Sequence, residues 1–409
     1  MELIVERTAG LDVHKRSVTA CVRTPGERDW NHEVRTFRTF TKRLLELREW
    51  LSACRVTDVT MEATGVYWKP VWHVLEGHFT LVLANPRHIK RVPGRKTDVS
   101  DAQWLAEITA YGLVTPSFVP DPETRRLRDL TRYRTRLTQL HTQELQRSAK
   151  VLEDAGVKLD SVASSLKTKS ARAMIEALCS GERDPEVLAE MAKARMRSKI
   201  PELRLALEGR FTDHHALMLD LMGRRADDLE SAIGELDARI ATLVEPHADA
   251  IERLSSVPGI ARITAETIIA ETGGDMSRFP TASHLASWAG MCPGQNESAG
   301  KSRSGKTRPG NKWLREALRM AATSASSARD TYIAAQYWQL VRRRGKAKAT
   351  VAVGHTLLVI AWHVLAEQAT YRELGGDWFL RFRNPDAHTR RLVAQLEALG
   401  HDVTIQPAA

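Results

Sequence analysis

The chain has 409 residues, with 60 Lys and Arg against 50 Asp and Glu, which gives a formal net charge of +10. Because domains usually hold about 100 to 200 residues, this length exceeds one ordinary core and predicts two or three domains. The basic excess favours a polyanionic partner such as nucleic acid over an acidic small molecule. None of the four cysteines forms a C-x-x-C pair, which argues against a zinc site or a disulfide framework and fits a reducing cytoplasm.

A membrane location is not expected from the sequence. Residues 1–8 lack the basic stretch and apolar run of a secretory signal. We count no apolar run that reaches the roughly 18 residues of a membrane span. The sequence therefore predicts a soluble, cytosolic protein.

Residues 3–113 alternate short β-rich runs with helical ones. Strands are predicted at residues 3–5, 10–13, 17–23, 33–37, 56–61 and 80–84, and helices at 41–54, 64–77 and 100–110. Thr97 or Asp98 is the expected cap of the last helix. From residue 10 onward the order is three strands, then helix, strand, helix, strand and helix. This is the order of an RNase H-like α/β fold, which we assign to residues 1–117.

Residues 118–247 show helical patterns and no strand pattern. Apolar residues recur at spacings of three, four and seven: Leu127, Leu130, Leu137 and Leu140, then Leu203, Leu207, Phe211, Met218, Leu221, Leu229, Ile233, Leu236 and Ile240. These spacings predict a helical hairpin or coiled coil, here called the arm (residues 121–244). Residues 121–150 hold eight Lys and Arg against four acids, which fits either nucleic-acid contact or a solvated face.

Residues 248–370 are predicted to form an all-α domain with helices at 312–327, 331–343 and 348–366. It opens with a Pro-Gly turn at Gly259 that resembles the turn of helix-hairpin-helix modules, which hold a DNA phosphate on unpaired backbone amides. An ordinary turn between two helices explains the same residues. Residues 371–409 read as a loosely folded tail.

Four acidic residues of the first domain are candidate metal ligands. Asp12 and Glu62 end two predicted strands, and Asp98 and Asp101, three apart, would share one face of a helix. Carboxylates packed that closely repel one another unless a divalent cation neutralises them, and hard oxygen ligands suit Mg²⁺ or Mn²⁺. The alternative for each acid is a turn cap, an exposed strand end or a helix N-terminal acid favoured by the helix dipole.

Short sequence blocks give a resemblance to a known family. Gly10-Leu-Asp-Val-His-Lys, Met61-Glu-Ala-Thr-Gly-Val-Tyr-Trp, Asn85-Pro and Lys96-Thr-Asp-Val-Ser-Asp-Ala resemble successive blocks of the insertion-sequence one-ten family transposases, relatives of the Piv DNA invertases. The resemblance covers residues 8–112 and about 250–345. It implies a RuvC-like DEDD domain joined by a coiled coil to a C-terminal serine domain, with Asp12, Glu62, Asp98 and Asp101 as Mg²⁺ ligands.

The second block of the resemblance lies in the loop of residues 291–310, here called the serine loop. Ser298 takes the place of the family's nucleophilic serine, and Ser302 and Ser304 are weaker candidates. Lys301, Arg303 and Lys306 would stabilise charge on an attacked phosphate. Without the resemblance, a flexible basic loop with polar serines explains the composition.

The serine loop also contains a sequence that matches an unrelated motif. Gly300-Lys-Ser-Arg-Ser-Gly-Lys-Thr satisfies the P-loop pattern of nucleotide-binding proteins. A P-loop follows a strand and runs directly into a helix, whereas Pro309-Gly310 interrupts helix growth here. We therefore reject a nucleotide site.

Basic clusters are the predicted nucleic-acid contacts, because grouped cations attract phosphates. They comprise Arg87, Lys90, Arg91, Arg95 and Lys96, the run Arg342, Arg343 and Arg344, the three cations of the serine loop, and the turn at Gly259. The resemblance further implies DNA ends and target as substrates, a structured bridge RNA as guide, and a homo-oligomer in the bacterial cytoplasm, near the nucleoid.

Two alternatives stay open at the level of sequence. The first is a metal-dependent nuclease or junction resolvase that uses the four acids alone. The second is a non-catalytic nucleic-acid-binding protein with a degenerate fold, which four intact acids argue against.

Overall fold

The structure is a computed structural model that describes residues 2–63, 65–89, 100–293, 297–298, 301–302, 307–379 and 385–406. It divides into two compact units, Met1–Val119 and Pro120–Ala409.

The first unit is a five-stranded mixed sheet covered by helices. Its strands are β1 (Thr8–Val13), β2 (Ser17–Pro25), β3 (Trp30–Arg38), β4 (Asp58–Glu62) and β5 (Thr80–Ala84); its helices are α1 (Thr41–Ala53), α2 (Trp68–Leu75), α3 (Pro86–Ile89) and α4 (Asp101–Ala110). The strand order is β3-β2-β1-β4-β5. β1, β2 and β3 pair antiparallel, while β4 is parallel to both β1 and β5. The predicted mixed α/β domain is confirmed.

The two faces of the sheet pack against different helices. Leu11 of β1 and Met61 of β4 join Leu44 and Leu47 of α1 in the main core cluster. Strand side chains alternate between faces, so the intervening residues of β1 and β4 point to the opposite face, where α4 lies. Burial on both faces explains why β1 is buried along nearly its whole length.

Two details of this unit differ from the sequence predictions. Residues 3–5 are not a strand; instead the amides of Ile4 and Val5 donate to the carbonyl of Ala110 at 2.9 and 3.1 Å. The cap of α4 is Ser100, whose hydroxyl accepts from the Gln103 amide, because the helix begins only at Asp101. The predicted caps Thr97 and Asp98 lie outside the described residues.

The second unit is almost entirely helical. Its helices are α5 (Pro122–Asp154), α6 (Leu159–Val162), α7 (Lys169–Cys179), α8 (Pro185–Glu190), α9 (Ile200–Ala206), α10 (Asp213–Leu243), α11 (Ala248–Ser255), α12 (Arg262–Thr272), α13 (Ala282–Ala289), α14 (Lys312–Ala325), α15 (Tyr332–Arg344), α16 (Lys346–Ala366) and α17 (Pro385–Ala398). Short 3-10 turns lie at Ala194–Lys199, Glu245–His247 and Met276–Arg278. Two-residue strands β6 (Glu297–Ser298) and β7 (Lys301–Ser302) form a hairpin within the serine loop.

The arm consists of the long helices α5 and α10, which pack along each other, and a compact module of residues 155–212 between them. Leu203, Leu207 and Phe211 belong to the apolar core of that module, so their predicted place in a long helical repeat is wrong. The buried face of α5 is rich in polar side chains, including Arg134 and Glu144. The helical middle is confirmed, but its contact face is more polar than a leucine seam.

Helix α16 contradicts the prediction that no apolar run reaches the length of a membrane span. Among the described helices it is long and apolar enough to cross a membrane by length and composition, and half of its apolar stretch is buried. It packs against α11, α13, α14 and α15, with Val353, Leu357 and Leu358 fully buried. These contacts are those of a core helix in a helical domain.

The segment after Thr370 is better ordered than a loose tail. Trp378 and Phe379 contact the ring of Tyr332 on α15, with ring centroids 5.3 and 5.1 Å away. The Glu373 carboxylate accepts from the Tyr332 amide at 2.8 Å. Residues 371–379 are therefore part of the helical domain.

Candidate active-site residues

Three of the four predicted acids lie at one end of one face of the sheet. β1 and β4 run parallel with Leu11 opposite Met61, so the next residues, Asp12 and Glu62, end neighbouring strands. Both belong to the face that α4 covers, since Leu11 and Met61 point to the other face. The ends of β1 and β4 and the start of α4, with Asp12, Glu62 and Asp101 at these positions, therefore lie at the same edge of the sheet.

Close packing sets the position of α4. A Cβ on Gly10 would lie 2.1 Å from the carbonyl oxygen of Ala102 and 2.5 Å from the Ala106 amide nitrogen, so β1 and α4 touch backbone to backbone. The Thr8 hydroxyl donates to the Ala106 carbonyl at 2.8 Å. Because the helix runs back over the strand, its first residue, Asp101, lies toward the end of β1 that carries Asp12.

Asp12 has a partner that the sequence analysis did not single out. Its Oδ2 lies 3.1 Å from Nε2 of His14, and its side chain is 29% exposed. Among the described residues, no group of three or more His, Cys, Asp or Glu side chains is close enough to hold a metal ion. Asp98 lies outside the described residues, so the predicted four-carboxylate cluster remains a prediction. The predicted sharing of one helical face by Asp98 and Asp101 is wrong, because α4 begins at Asp101, directly after the extended cap residue Ser100.

The two ends of the serine loop, at residues 289–290 and 308–310, are in close backbone contact and are here called the loop stem. A Cβ on Gly310 would lie 2.4 Å from the Ala289 carbonyl and from the Gly290 amide, so the two ends of the loop meet at glycines. Gly290 also has φ +69°, a conformation that glycine adopts most easily. Above the stem, Pro293 bridges Thr307 in antiparallel fashion.

Ser298 lies in the hairpin above this stem. It pairs in register with Lys301, while Glu297 pairs with Ser302. The described strands thus contain Ser298, Lys301 and Ser302, and Arg303, Ser304 and Lys306 lie outside the described residues. The hairpin is followed by the Thr307 bridge and then α14 from Lys312, so the described part does not continue as the helix that a P-loop needs.

A buried ionic cluster that no sequence pattern predicted lies next to the loop stem. The Glu271 side chain of α12 is fully buried and accepts from Arg132 Nε and Nη2, both at 2.7 Å, and from Asn311 Nδ2 at 2.6 Å. Arg128 donates to the Ala270 and Glu271 carbonyls at 3.1 and 2.7 Å, in the last turn of α12. Burial lowers the pKa of Arg128 to about 10. A local clue was the Glu271 carboxylate within the apolar sequence Ile-Ile-Ala-Glu.

Three of the four groups of predicted nucleic-acid contacts lie outside the serine loop. Arg342, Arg343 and Arg344 form the exposed last turn of α15, where the helix dipole also favours cations. Gly259 has φ +90°, and a Cβ there would lie 2.4 Å from the Ala321 carbonyl, so packing on α14 already explains this glycine. The side chain of Arg87, and residues Lys90, Arg91, Arg95 and Lys96, lie outside the described part. Phosphate contacts at all these positions remain predictions.

The α/β domain with acids at its strand ends, and the helical domain with the serine-bearing loop, each match a model of a transposase family. A family model described as a transposase, for the DEDD transposases of IS110, matches residues 9–156. The model of the IS116/IS110/IS902 transposase family matches residues 251–339. The protein is therefore a transposase, an enzyme of DNA recombination.

Relatives along nearly the whole length agree with the family models. The transposase for insertion sequence element IS1111A of Coxiella burnetii is 24% identical over 89% of this chain and 90% of its own. The pilin gene-inverting protein of Moraxella lacunata is 25% identical over 88% of this chain and 96% of its own. An IS110 protein of Streptomyces coelicolor is 37% identical over 27% of each chain. The chain belongs to the IS110 family of transposases.

Proposed function

We propose that this transposase cleaves and rejoins DNA strands with a Mg²⁺-dependent site at Asp12, Glu62, Asp98 and Asp101 and with Ser298 as nucleophile. The observation that carries the proposal is the placement of Asp12, Glu62 and Asp101 at one edge of the α4 face. The matching DEDD family model adds an expected dependence on a divalent metal.

The donor set fits a hard divalent cation. Asp12, Glu62 and Asp101 offer carboxylate oxygens, which Mg²⁺ and Mn²⁺ prefer over softer metals. A bound ion of this kind supplies Lewis-acid stabilisation of the phosphate and of the leaving oxygen. The chain itself contributes the rigid strand ends of β1 and β4, and the Gly10 contact that sets the start of α4.

Ser298 would store the broken bond. Its hydroxyl loses a proton and its Oγ bonds to the scissile phosphorus, while the bond from phosphorus to the departing strand oxygen breaks and that oxygen takes up a proton. The resulting phosphoserine ester conserves the energy of the phosphodiester, so attack by a new strand hydroxyl rejoins DNA without ATP. The glycine-pinched stem supports this role, because it holds both ends of a long basic loop together.

We also propose a structured bridge RNA as guide and an oligomer in which the acidic site of one subunit serves the serine of another. The net charge of +10 and the exposed arginines at the end of α15 support a polyanionic partner. Sequencing of RNA that copurifies with the protein tests the first proposal. A mixture of Asp12→Asn and Ser298→Ala proteins tests the second, because mixed oligomers should recover activity.

The serine is tested by trapping. A nicked, labelled DNA substrate is incubated with protein, the reaction is denatured, and a protein–DNA adduct is sought in wild type, Ser298→Ala, Ser302→Ala and Ser304→Ala. We expect loss of the adduct in Ser298→Ala alone. An adduct that persists there but disappears in another variant reassigns the nucleophile. Cleavage without any adduct favours the plain metal nuclease.

The carboxylates are tested separately from the serine. Asp12→Asn, Glu62→Gln, Asp98→Asn and Asp101→Asn should each abolish cleavage while DNA binding is retained, because Lys and Arg carry the phosphate contacts. Full cleavage in EDTA would remove the metal from the mechanism. Unchanged DNA processing by Glu62→Gln would favour a binding protein that does not cut.

A further inference from the structure

A salt bridge with a buried carboxylate joins the two segments of the chain that the transposase family models match. Arg132 of α5 lies in the first segment, and Glu271 of α12 lies in the second. Both guanidinium bonds to the carboxylate measure 2.7 Å, and the Glu271 side chain has no exposed surface. A bidentate arginine pair of this kind fixes orientation as well as distance.

The same carboxylate reaches the end of the serine loop through Asn311. Oδ1 of Asn311 accepts from the amides of Trp313 and Leu314, both at 3.1 Å, which makes it the N-cap of α14. Nδ2 donates to Glu271 at 2.6 Å. Glu271 therefore dictates which way the Asn311 amide turns, and Asn311 directly follows Gly310, the glycine that closes the loop stem.

A neighbouring ion pair shows what Glu271 does beyond joining helices. Glu266, also on α12 and also buried, accepts from Arg134 of α5 at 2.7 Å and from Arg262 at 2.9 Å. It joins the same two helices, and its partners Arg134 and Arg262 lie on α5 and α12. Contact with the serine-loop stem distinguishes Glu271 from Glu266.

We propose that Glu271 is a positioning residue for the serine loop: through Asn311 it fixes the returning end of the loop relative to the first helix of the arm. A shift of α5 would then be passed by Arg132 and Glu271 to the segment that carries Ser298. The inference rests on the proposed role of Ser298, and it assigns Glu271 no contact with DNA.

A donor–acceptor exchange tests the proposal in the full-length protein. Asn311→Asp places a carboxylate against Glu271, while Asp still caps a helix well. Combining it with Glu271→Gln restores one hydrogen bond with its direction reversed and keeps the charge of the pair. Glu266→Gln is the matched control, since it weakens a buried pair between the same helices. Each protein is assayed for adduct formation at saturating DNA, for DNA affinity, and for amide exchange at Trp313 and Leu314.

We expect Asn311→Asp to slow adduct formation by about 100-fold, the cost of roughly 1 Å of misplacement, with DNA affinity unchanged. The double variant should recover at least about tenfold of that rate. Glu266→Gln should lower stability but leave the rate within about threefold. If Asn311→Asp alone does not fold, Glu271→Gln and the double variant carry the same comparison.

Three results would overturn the positioning role: no recovery in the double variant, an equal loss of rate in Glu266→Gln, or unchanged exchange at Trp313 and Leu314. The exchange readout does not depend on the serine chemistry. If wild type forms no adduct but the exchange at these amides still rises in Asn311→Asp and falls back in the double variant, the nucleophile assignment fails while the coupling of Glu271 to the loop stem stands.

Discussion

Gly10→Ala should damage catalysis from a position that carries no functional group. The added methyl would lie 2.1 Å from the Ala102 carbonyl oxygen, 2.5 Å from the Ala106 amide nitrogen and 2.6 Å from Leu105 Cβ. Ordinary contact begins near 3.4 Å, so α4 must move by about 1.3 Å or the strand must bend. All three neighbours are backbone or Cβ atoms, and no flexible side-chain end can relieve the clash.

The energetic cost follows from this rigidity. Overpacking a tight core costs about 1–3 kcal/mol of unfolding free energy, and Gly10 lies where the backbones of β1 and α4 are in direct contact. The displacement acts on Asp101, the first residue of α4, relative to Asp12 and Glu62. A shift of about 1 Å in a catalytic constellation lowers the rate by about 100-fold.

The assay measures DNA cleavage at saturating DNA together with urea unfolding of the same protein. Gly234→Ala is the matched control, because a Cβ at this position of α10 would meet nothing within 4 Å. Gly234→Ala should leave the unfolding free energy unchanged or raise it by at most about 1 kcal/mol. If Gly10→Ala cleaves DNA at the wild-type rate with unchanged stability, α4 does not set the acidic edge.

Three further predictions concern stability and DNA binding. Neutralising the arginines at 342–344 should reduce the slope of log affinity against log salt by about 0.9 for each lost phosphate contact, and an unchanged slope would make the run an inert surface. Asp121→Ala should lower the unfolding free energy by about 1 kcal/mol, because it removes the N-cap of α5. Burial raises the pKa of Asp121, but hydrogen bonds from Thr124 and Glu123 hold that pKa below its ordinary value of 3.8. The stabilisation by ionised Asp121 is therefore present above pH 3.8 and is lost as the pH falls through the lowered pKa. Asp121→Asn should remove this pH dependence, so its unfolding free energy, measured by urea unfolding, should fall less steeply in acid than that of wild type. Leu358→Ala should lower the unfolding free energy by about 2–5 kcal/mol, whereas a loss near zero would contradict a core position.

The sequence predicted the elements of the first unit because their signals are local. Alternation placed the ends of β2, β4 and β5 to within two residues, and the helical spacing of Leu44, Leu47, Trp50 and Leu51 placed α1. Helices α14, α15 and α16 were found in the same way. The strand at residues 3–5 failed because its bonds go to the Ala110 carbonyl, a partner more than a hundred residues away that no local pattern contains.

The sites were predicted less completely than the elements. Asp12, Glu62 and Asp101 could be chosen because an acid at a strand end or helix start is visible in the sequence. The packing roles of Gly10, Gly259 and Gly310 could not, because a glycine shows only the absence of a side chain and not the backbone that approaches it. His14 was passed over for a similar reason, since its 3.1 Å contact with Asp12 depends on the turn between β1 and β2.

The burial of Arg134 on α5 explains why the arm was predicted to be a leucine repeat. Arg134 is among the buried residues of α5, yet charged residues are normally assigned to the solvent side of a helix. Its burial is tolerated because Glu266 and Asp237 accept its hydrogen bonds at 2.7 and 2.9 Å, which offset much of the cost of removing the guanidinium from water. Glu266 lies 132 residues along the chain, beyond any helical period. A leucine at position 134 could slide along α12, whereas the Arg134 pair accepts one register, so the polar face fixes where the arm meets the domain that carries Ser298.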